Sequence, residues 1–230
     1  MGFAEGKKIN YQIIRSKRKT LAIHIKNGKM EVRAPLKMPK THIDIFVASK
    51  EDWITVKLAQ SKEELGRRDK FNLTYGDTIL FLGHECPIIA SNSSFYDFSG
   101  KRFYIQKGLD SENIKEICIR LYQDAARDYI NKRAAIFSEV MGVTPISVKI
   151  TKAKSRWGSC TATKRINFSW LLIMADSEVI DYVVVHEIAH LKELNHSAQF
   201  WAIVENILPD YRQRKARLKE LSKRLSEEDW

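Results

Sequence analysis

One short segment constrains this chain more than any other. Residues 186–196 read His186-Glu187-Ile188-Ala189-His190-Leu191-Lys192-Glu193-Leu194-Asn195-His196. Two histidines four positions apart stand one turn apart on one helix face, so both imidazoles can reach a single ion. The segment must therefore be helical through His190, and the chain must then turn back if His196 is to supply a third nitrogen. Three nitrogens leave the fourth corner of a tetrahedral Zn2+ site open, as catalytic sites require. Glu187, next to the first histidine, can meet a coordinated water as general base. Glu193 favours continued helix, which puts the turn at Leu194-Asn195, with Asn195 suited to a left-handed C-terminal position. Glu193 is the alternative third ligand; His196 is preferred because imidazole suits zinc.

The flanking residues agree with a buried helix. Asp176 is a plausible N-cap, and Glu178 puts an acid in the first turn. Val179, Ile180, Val183, Val184, Ile188 and Leu191 then recur at helical spacing. Two imidazoles and a carboxylate buried together without a metal would be costly. Asp181, almost half a turn from His186, reads as exposed or capping.

With 230 residues the chain can build a real core. No apolar run approaches the length of a membrane span. Residues 1–8 lack the apolar region of a secretory signal, and Gly2 lacks the downstream Ser or Thr of a myristoylation site. Cys86, Cys118 and Cys160 are odd in number and widely spaced, which excludes a disulfide framework and fits a reducing cytoplasm.

Patterning predicts an α+β protein with a boundary near residue 108. Residues 1–108 read as a β-rich N-terminal part with two helices. Strands are expected over 11–15, 21–26 and 29–34, the last two joined by an Asn27-Gly28 hairpin turn. Helices follow over 41–50 and 51–65, then strands over 72–75, 78–82, 86–90 and 103–106. Residues 109–230 read as a helical domain with a small sheet. A long helix runs from Asp110 to about Val140 and stops at Gly142. Strands at 146–151 and 166–170 precede the histidine helix. Ser197 caps a further helix, and Pro209 starts the last one. Trp157-Gly158 reads as a tight turn, and Cys160 as a small buried hydrophobe.

The C-terminal 80 or so residues resemble the YgjP-like metallopeptidase family, distant relatives of the SprT proteases. The resemblance rests on Lys154-Ser155-Arg156-Trp157-Gly158-Ser159-Cys160, Arg165-Ile166-Asn167-Phe168-Ser169-Trp170, Tyr182 to Leu191, Asn195-His196-Ser197 and Phe200-Trp201. The segments Ile14 to Leu21 and Val32-Arg33-Ala34-Pro35 are also similar to that family. It implies a zincin-type α+β core with His186, His190 and His196 on zinc and Glu187 as base. Metzincins break the helix with Gly three residues after the second histidine; here that residue is Glu193. In zincins a strand beside the active helix commonly pairs with extended substrate, and residues 166–170 are the expected strand. Asn167 and Ser169 on it, with Arg156 and Tyr211 as groups for an oxyanion or an anionic substrate, are the candidate substrate-binding residues.

These features point to a zinc-dependent metallopeptidase acting on peptides or proteins. The formal net charge of +11 leaves two alternatives open. The same activated water could hydrolyse a nucleotide phosphoanhydride. Basic segments, above all Arg212, Arg214, Lys215 and Arg217, could dock nucleic acid. A solvated helix face is the plainer reading of that cluster.

Overall fold

The computed structural model describes residues 9–68 and 70–230; the expectations about a leader and myristoylation fall on residues outside these. The fold is α+β. It divides into two compact units, one ending at Phe71 and including Ser226–Asp229, the other spanning Asn72–Leu225 with Trp230. The compositional change at residue 108 falls within the second unit.

The first unit is a three-stranded sheet with two helices. Strands β1 (Gln12–Ser16), β2 (Ala22–Lys26) and β3 (Lys29–Pro35) lie in the order β1-β3-β2. β1 runs parallel to β3, and β2 pairs with β3 as an antiparallel hairpin. Asn27 and Gly28 have φ of 51° and 68°, the left-handed pair that a two-residue hairpin turn needs. Met30, Val32 and Ala34 alternate inward along β3 and form a core with Ile43 and Val47 of α1 (Lys40–Ala48) and Ile54 of α2 (Glu51–Arg68).

The second unit begins with a four-stranded sheet, β4 (Thr78–Phe81), β5 (His84–Ser91), β6 (Asp97–Ser99) and β7 (Arg102–Gln106), in the order β4-β5-β7-β6. Residues 72–75, expected as a strand, are irregular instead and lead into a turn at Tyr75-Gly76. Their backbone groups are taken elsewhere: Leu73 N donates to Ser111 Oγ and Thr74 N to Asp77 Oδ2, at 2.9 and 2.7 Å. Strand β6, which the patterning does not predict, follows the polar Asn92-Ser93-Ser94 segment. Its pairing with β7 seats Phe98 against Phe81 and Phe103.

Helix α3 (Ser111–Val140) starts where Asp110 accepts the backbone N–H of Asn113. Its buried residues Ile114, Cys118, Tyr122, Ala126, Ile130, Ala134 and Phe137 keep the three- and four-residue spacing of one face. That face covers a short 3-10 helix (Trp170–Met174) and α4 (Ser177–Ala189). A second sheet, β8 (Ser147–Thr151), β9 (Gly158–Cys160) and β10 (Arg165–Ser169), has the order β8-β10-β9, and β9 packs on α4. Two last helices follow, α5 (Ala198–Ile207) and α6 (Tyr211–Leu225). Pro209 sits in the turn ahead of α6 rather than at its first position.

Asp181 of α4 is neither exposed nor capping. Arg133 of α3 grips it with two hydrogen bonds of 2.6 and 2.8 Å, and the two side chains are only 28% and 14% exposed. Removing one partner leaves a largely buried charge alone. Arg133→Ala should therefore cost about 2 kcal/mol in urea unfolding, below the roughly 3–5 kcal/mol of a fully buried pair because both groups keep some solvent.

Candidate metal centre

Helix α4 is apolar on nearly all sides, and Val179 to Val185 are mostly buried. Its start is held by Asp176, which accepts from Val179 N at 3.0 Å. The turn between β4 and β5 docks on the same place. Leu82 N and Gly83 N donate to Ile173 O and Met174 O at 2.8 and 3.2 Å, just ahead of that cap.

The helix ends earlier than expected. Its last residue is Ala189 and His190 is the C-cap. Lys192 N and Glu193 N both reach Ala189 O at 3.0 Å, so Glu193 closes the final turn rather than prolonging the helix. Asn195 is not among the residues with positive φ. Glu193 also departs from its expectation as an alternative ligand: its Oε1 accepts from Asn195 N at 3.4 Å, and it lies outside the histidine cluster.

The early stop brings His196 back onto the helix. One ring nitrogen from each of His186, His190 and His196 lies within 4.8 Å of the others. The Nε2 atoms of His186 and His196 are 3.0 Å apart. Tetrahedral zinc with Zn–N bonds of about 2.0–2.1 Å separates its nitrogens by roughly 3.3 Å, close to the 3.0 Å of this pair. Ser197 caps α5 by accepting from Phe200 N, and this sets the Phe200 ring 4.9, 4.5 and 4.8 Å from the three imidazoles. Trp201 stacks on His196, Tyr211 stacks on Trp201, and Lys215 Nζ lies 4.8 Å from the Trp201 ring centre.

The electrostatics disfavour protonation of His186 and His196. Burial, then the neighbouring His190, His196 and Lys215, hold His186 down at about 3, so it stays neutral with a lone pair to offer. His196 is lowered for the same kind of reason. His190 Nδ1 lies 3.1 Å from Glu193 O, a contact that turns its other nitrogen toward the cluster. His186 Nδ1 is buried without a hydrogen-bond partner, so packing by Tyr182 and Phe200 fixes that ring.

Glu187 is 6% exposed. Burial alone raises its carboxyl to about 7, and no protein hydrogen bond engages it among the described residues. Gly158 of β9 faces it. A Cβ at Gly158 would lie 2.6 Å from both Cγ and Oε1 of Glu187. Residues 157–158, read as a tight turn, instead lead into β9, and Trp157 Nε1 donates to Ser222 Oγ at 3.0 Å.

The remaining expected residues are scattered. Ser169 is 2% exposed, and its hydroxyl donates to Ala153 O and accepts from Leu171 N. It is occupied as a structural cap. Asn167 faces Ser159 across the β10–β9 pair, 3.5 Å from its hydroxyl. Arg156 is exposed, and Tyr211 is buried behind Trp201. Cys160 is half-buried, with its thiol raised by burial and by Glu187. Strand β10 cannot take a substrate strand on either side, because β8 and β9 occupy both of its edges. Three arginines of the C-terminal basic cluster are held in ion pairs: Arg212 with Glu205, Arg214 with Asp210, and Arg217 with Glu178. The histidine spacing announced the trio, but Phe200 and Gly158 carry no local signal of their part in it.

A family model described as YgjP-like, metallopeptidase domain, matches residues 19–221. The chain belongs to the YgjP-like metallopeptidase family. The match takes in all three histidines and Glu187, together with most of both compact units. Among solved structures, this YgjP-like chain is similar to two metallopeptidase zymogens. Abylysin of Pyrococcus abyssi is 22% identical, with 44% of this chain and 99% of that one covered and a TM-score of 0.38. Jannalysin of Methanocaldococcus jannaschii is 18% identical, with 40% and 94% covered and a TM-score of 0.37. No match was found among curated proteins. No helix among the described residues is long and apolar enough to cross a membrane.

Proposed function

We propose that the protein is a zinc-dependent peptidase in which His186, His190 and His196 hold the ion and Glu187 is the general base. The observation that carries this reading is the convergence of three imidazole nitrogens within 4.8 Å beside a buried carboxylate. Neutral imidazoles suit Zn2+, and three of them leave a coordination position for water or substrate. When bound, zinc supplies Lewis acidity for the scissile carbonyl and for the attacking water.

The chain's own residues do the rest. Glu187, raised by burial toward neutrality, takes a proton from the attacking water on its carboxylate and returns it to the leaving amine nitrogen. Phe200 and Trp201 keep the imidazoles packed and limit water on that side.

Strand β9 is the better partner for an extended substrate. Trp157 O and Thr161 N bond to β10, so in the antiparallel alternation the backbone groups of Gly158 and Cys160 point to the other side. No second strand pairs there among the described residues. A peptide added on this edge would run beside Glu187.

The test is a peptide library offered to zinc-loaded protein alongside a panel of nucleoside triphosphates. Peptide cleavage is expected, and triphosphate hydrolysis alone would overturn the peptidase reading. A chelator should abolish cleavage, and one equivalent of zinc per chain should restore it. Zinc at about 100 times its dissociation constant should also stabilise the fold by about 2.7 kcal/mol, read as a rise in Tm.

A further inference from the structure

We infer that Gly158 is a positioning residue for the Glu187 carboxylate: the lack of a side chain on β9 sets where that carboxylate sits. The inference rests on the general-base reading of Glu187 given above. Six glycines, at 28, 76, 83, 100, 108 and 142, have the positive φ that favours glycine. Gly158 does not, so its backbone conformation is open to any residue. What excludes a side chain is space. An added Cβ would meet Glu187 Cγ, Oε1 and Cδ at 2.6, 2.6 and 2.7 Å. Gly66, also without positive φ, has nothing within 4 Å.

The contact matters because of what Glu187 lacks. A buried carboxylate is usually oriented by hydrogen bonds, and this one has none to the described residues. Its position follows from the α4 backbone on one side and the bare Cα of Gly158 on the other. Strand β9 is itself fixed by pairing with β10 and by the Trp157–Ser222 hydrogen bond to α6. The strand proposed to receive substrate is thus also the wall that holds the base, so the two keep a constant separation.

The test uses the full chain with Gly158→Ala, Glu187→Ala and the double substitution. Zinc content, steady-state kinetics on a cleaved peptide, and thermal unfolding of the metal-free protein are measured. Gly158→Ala should keep one zinc per chain and lose about 100-fold in kcat, with KM changed less than about threefold, as expected for a displaced catalytic group. In unfolding, Gly158→Ala should lower Tm clearly in the parent and much less in the Glu187→Ala background, where the atoms that the added Cβ would meet are gone. Parent-like kcat and Tm in Gly158→Ala would overturn the inference. So would an equal Tm loss in both backgrounds, since the effect would then not pass through Glu187. If Gly158→Ala does not fold, recovery of folded protein in the double variant supports the inference and failure to recover refutes it. If the parent cleaves no peptide, the peptidase reading fails, while the unfolding comparison still decides the contact.

Discussion

Glu187→Gln should retain zinc and lose peptide hydrolysis by about 10²- to 10⁴-fold, the usual weight of a general acid–base group. The substitution keeps the shape that fits against Gly158 and leaves the three histidines untouched. What it removes is the ability to take a proton. It should also stabilise the metal-free protein at alkaline pH. Burial raises the folded-state carboxyl from 4.5 to about 7. The stability that goes with the neutral acid is complete below the unfolded value and is lost as pH rises through the folded one. Near pH 8 the parent therefore keeps a buried charge that the amide lacks, worth on the order of 1–3 kcal/mol. Unfolding of both chelated proteins at pH 4 and pH 8 checks this: the gain should appear only at the higher pH. Turnover retained in the zinc-loaded variant would remove Glu187 from the mechanism.

Gly83→Ala should be the most damaging single methyl addition away from the histidine cluster. Gly83 has φ +76°, and its added Cβ would lie 2.6 Å from Asp176 Cβ and 2.9 Å from Asp176 Cα. A left-handed alanine costs about 1–2 kcal/mol by itself. The overlap falls on the backbone of the N-cap of α4, which cannot swing aside as a flexible side chain would. Displacing that cap adds about 1 kcal/mol, and overpacking a similar amount. A total near 3 kcal/mol corresponds to a fall in Tm of roughly 6–12 °C for a chain of this size. Gly76→Ala is the control. Its φ is +95° but nothing lies within 4 Å, so only the conformational part should appear. Equal losses at the two positions would show that docking of the β4–β5 turn contributes nothing.

Residues whose role depends on local periodicity were readable without a structure. The four-residue spacing of His186 and His190 sets one helix face whatever surrounds it, and Asp176 caps the helix it precedes. The Asn27-Gly28 turn and the alternation of Met30, Val32 and Ala34 belong to the same class. Local preference misled where a neighbouring segment competed for the backbone. Residues 72–75 have strand-like composition, but Ser111 and Asp77 take their amides. Glu193 favours helix, yet the final turn tightens onto Ala189 and frees the chain to bring His196 back.

Glu187 shows the division most clearly. Its place beside His186 on the helix was determined by sequence alone, because adjacent residues on a helix have a fixed angular offset. The side chain's burial, its raised carboxyl and its contact with Gly158 were decided by the tertiary fold, which lays β9 on α4 from 29 residues upstream. The same holds for Phe200 beneath the imidazoles and for the Arg133–Asp181 pair. Helical periodicity and capping act within a few residues, so the order of side chains encodes them directly. Steric complementarity and desolvation depend on which distant segments meet, and only the packed chain sets that.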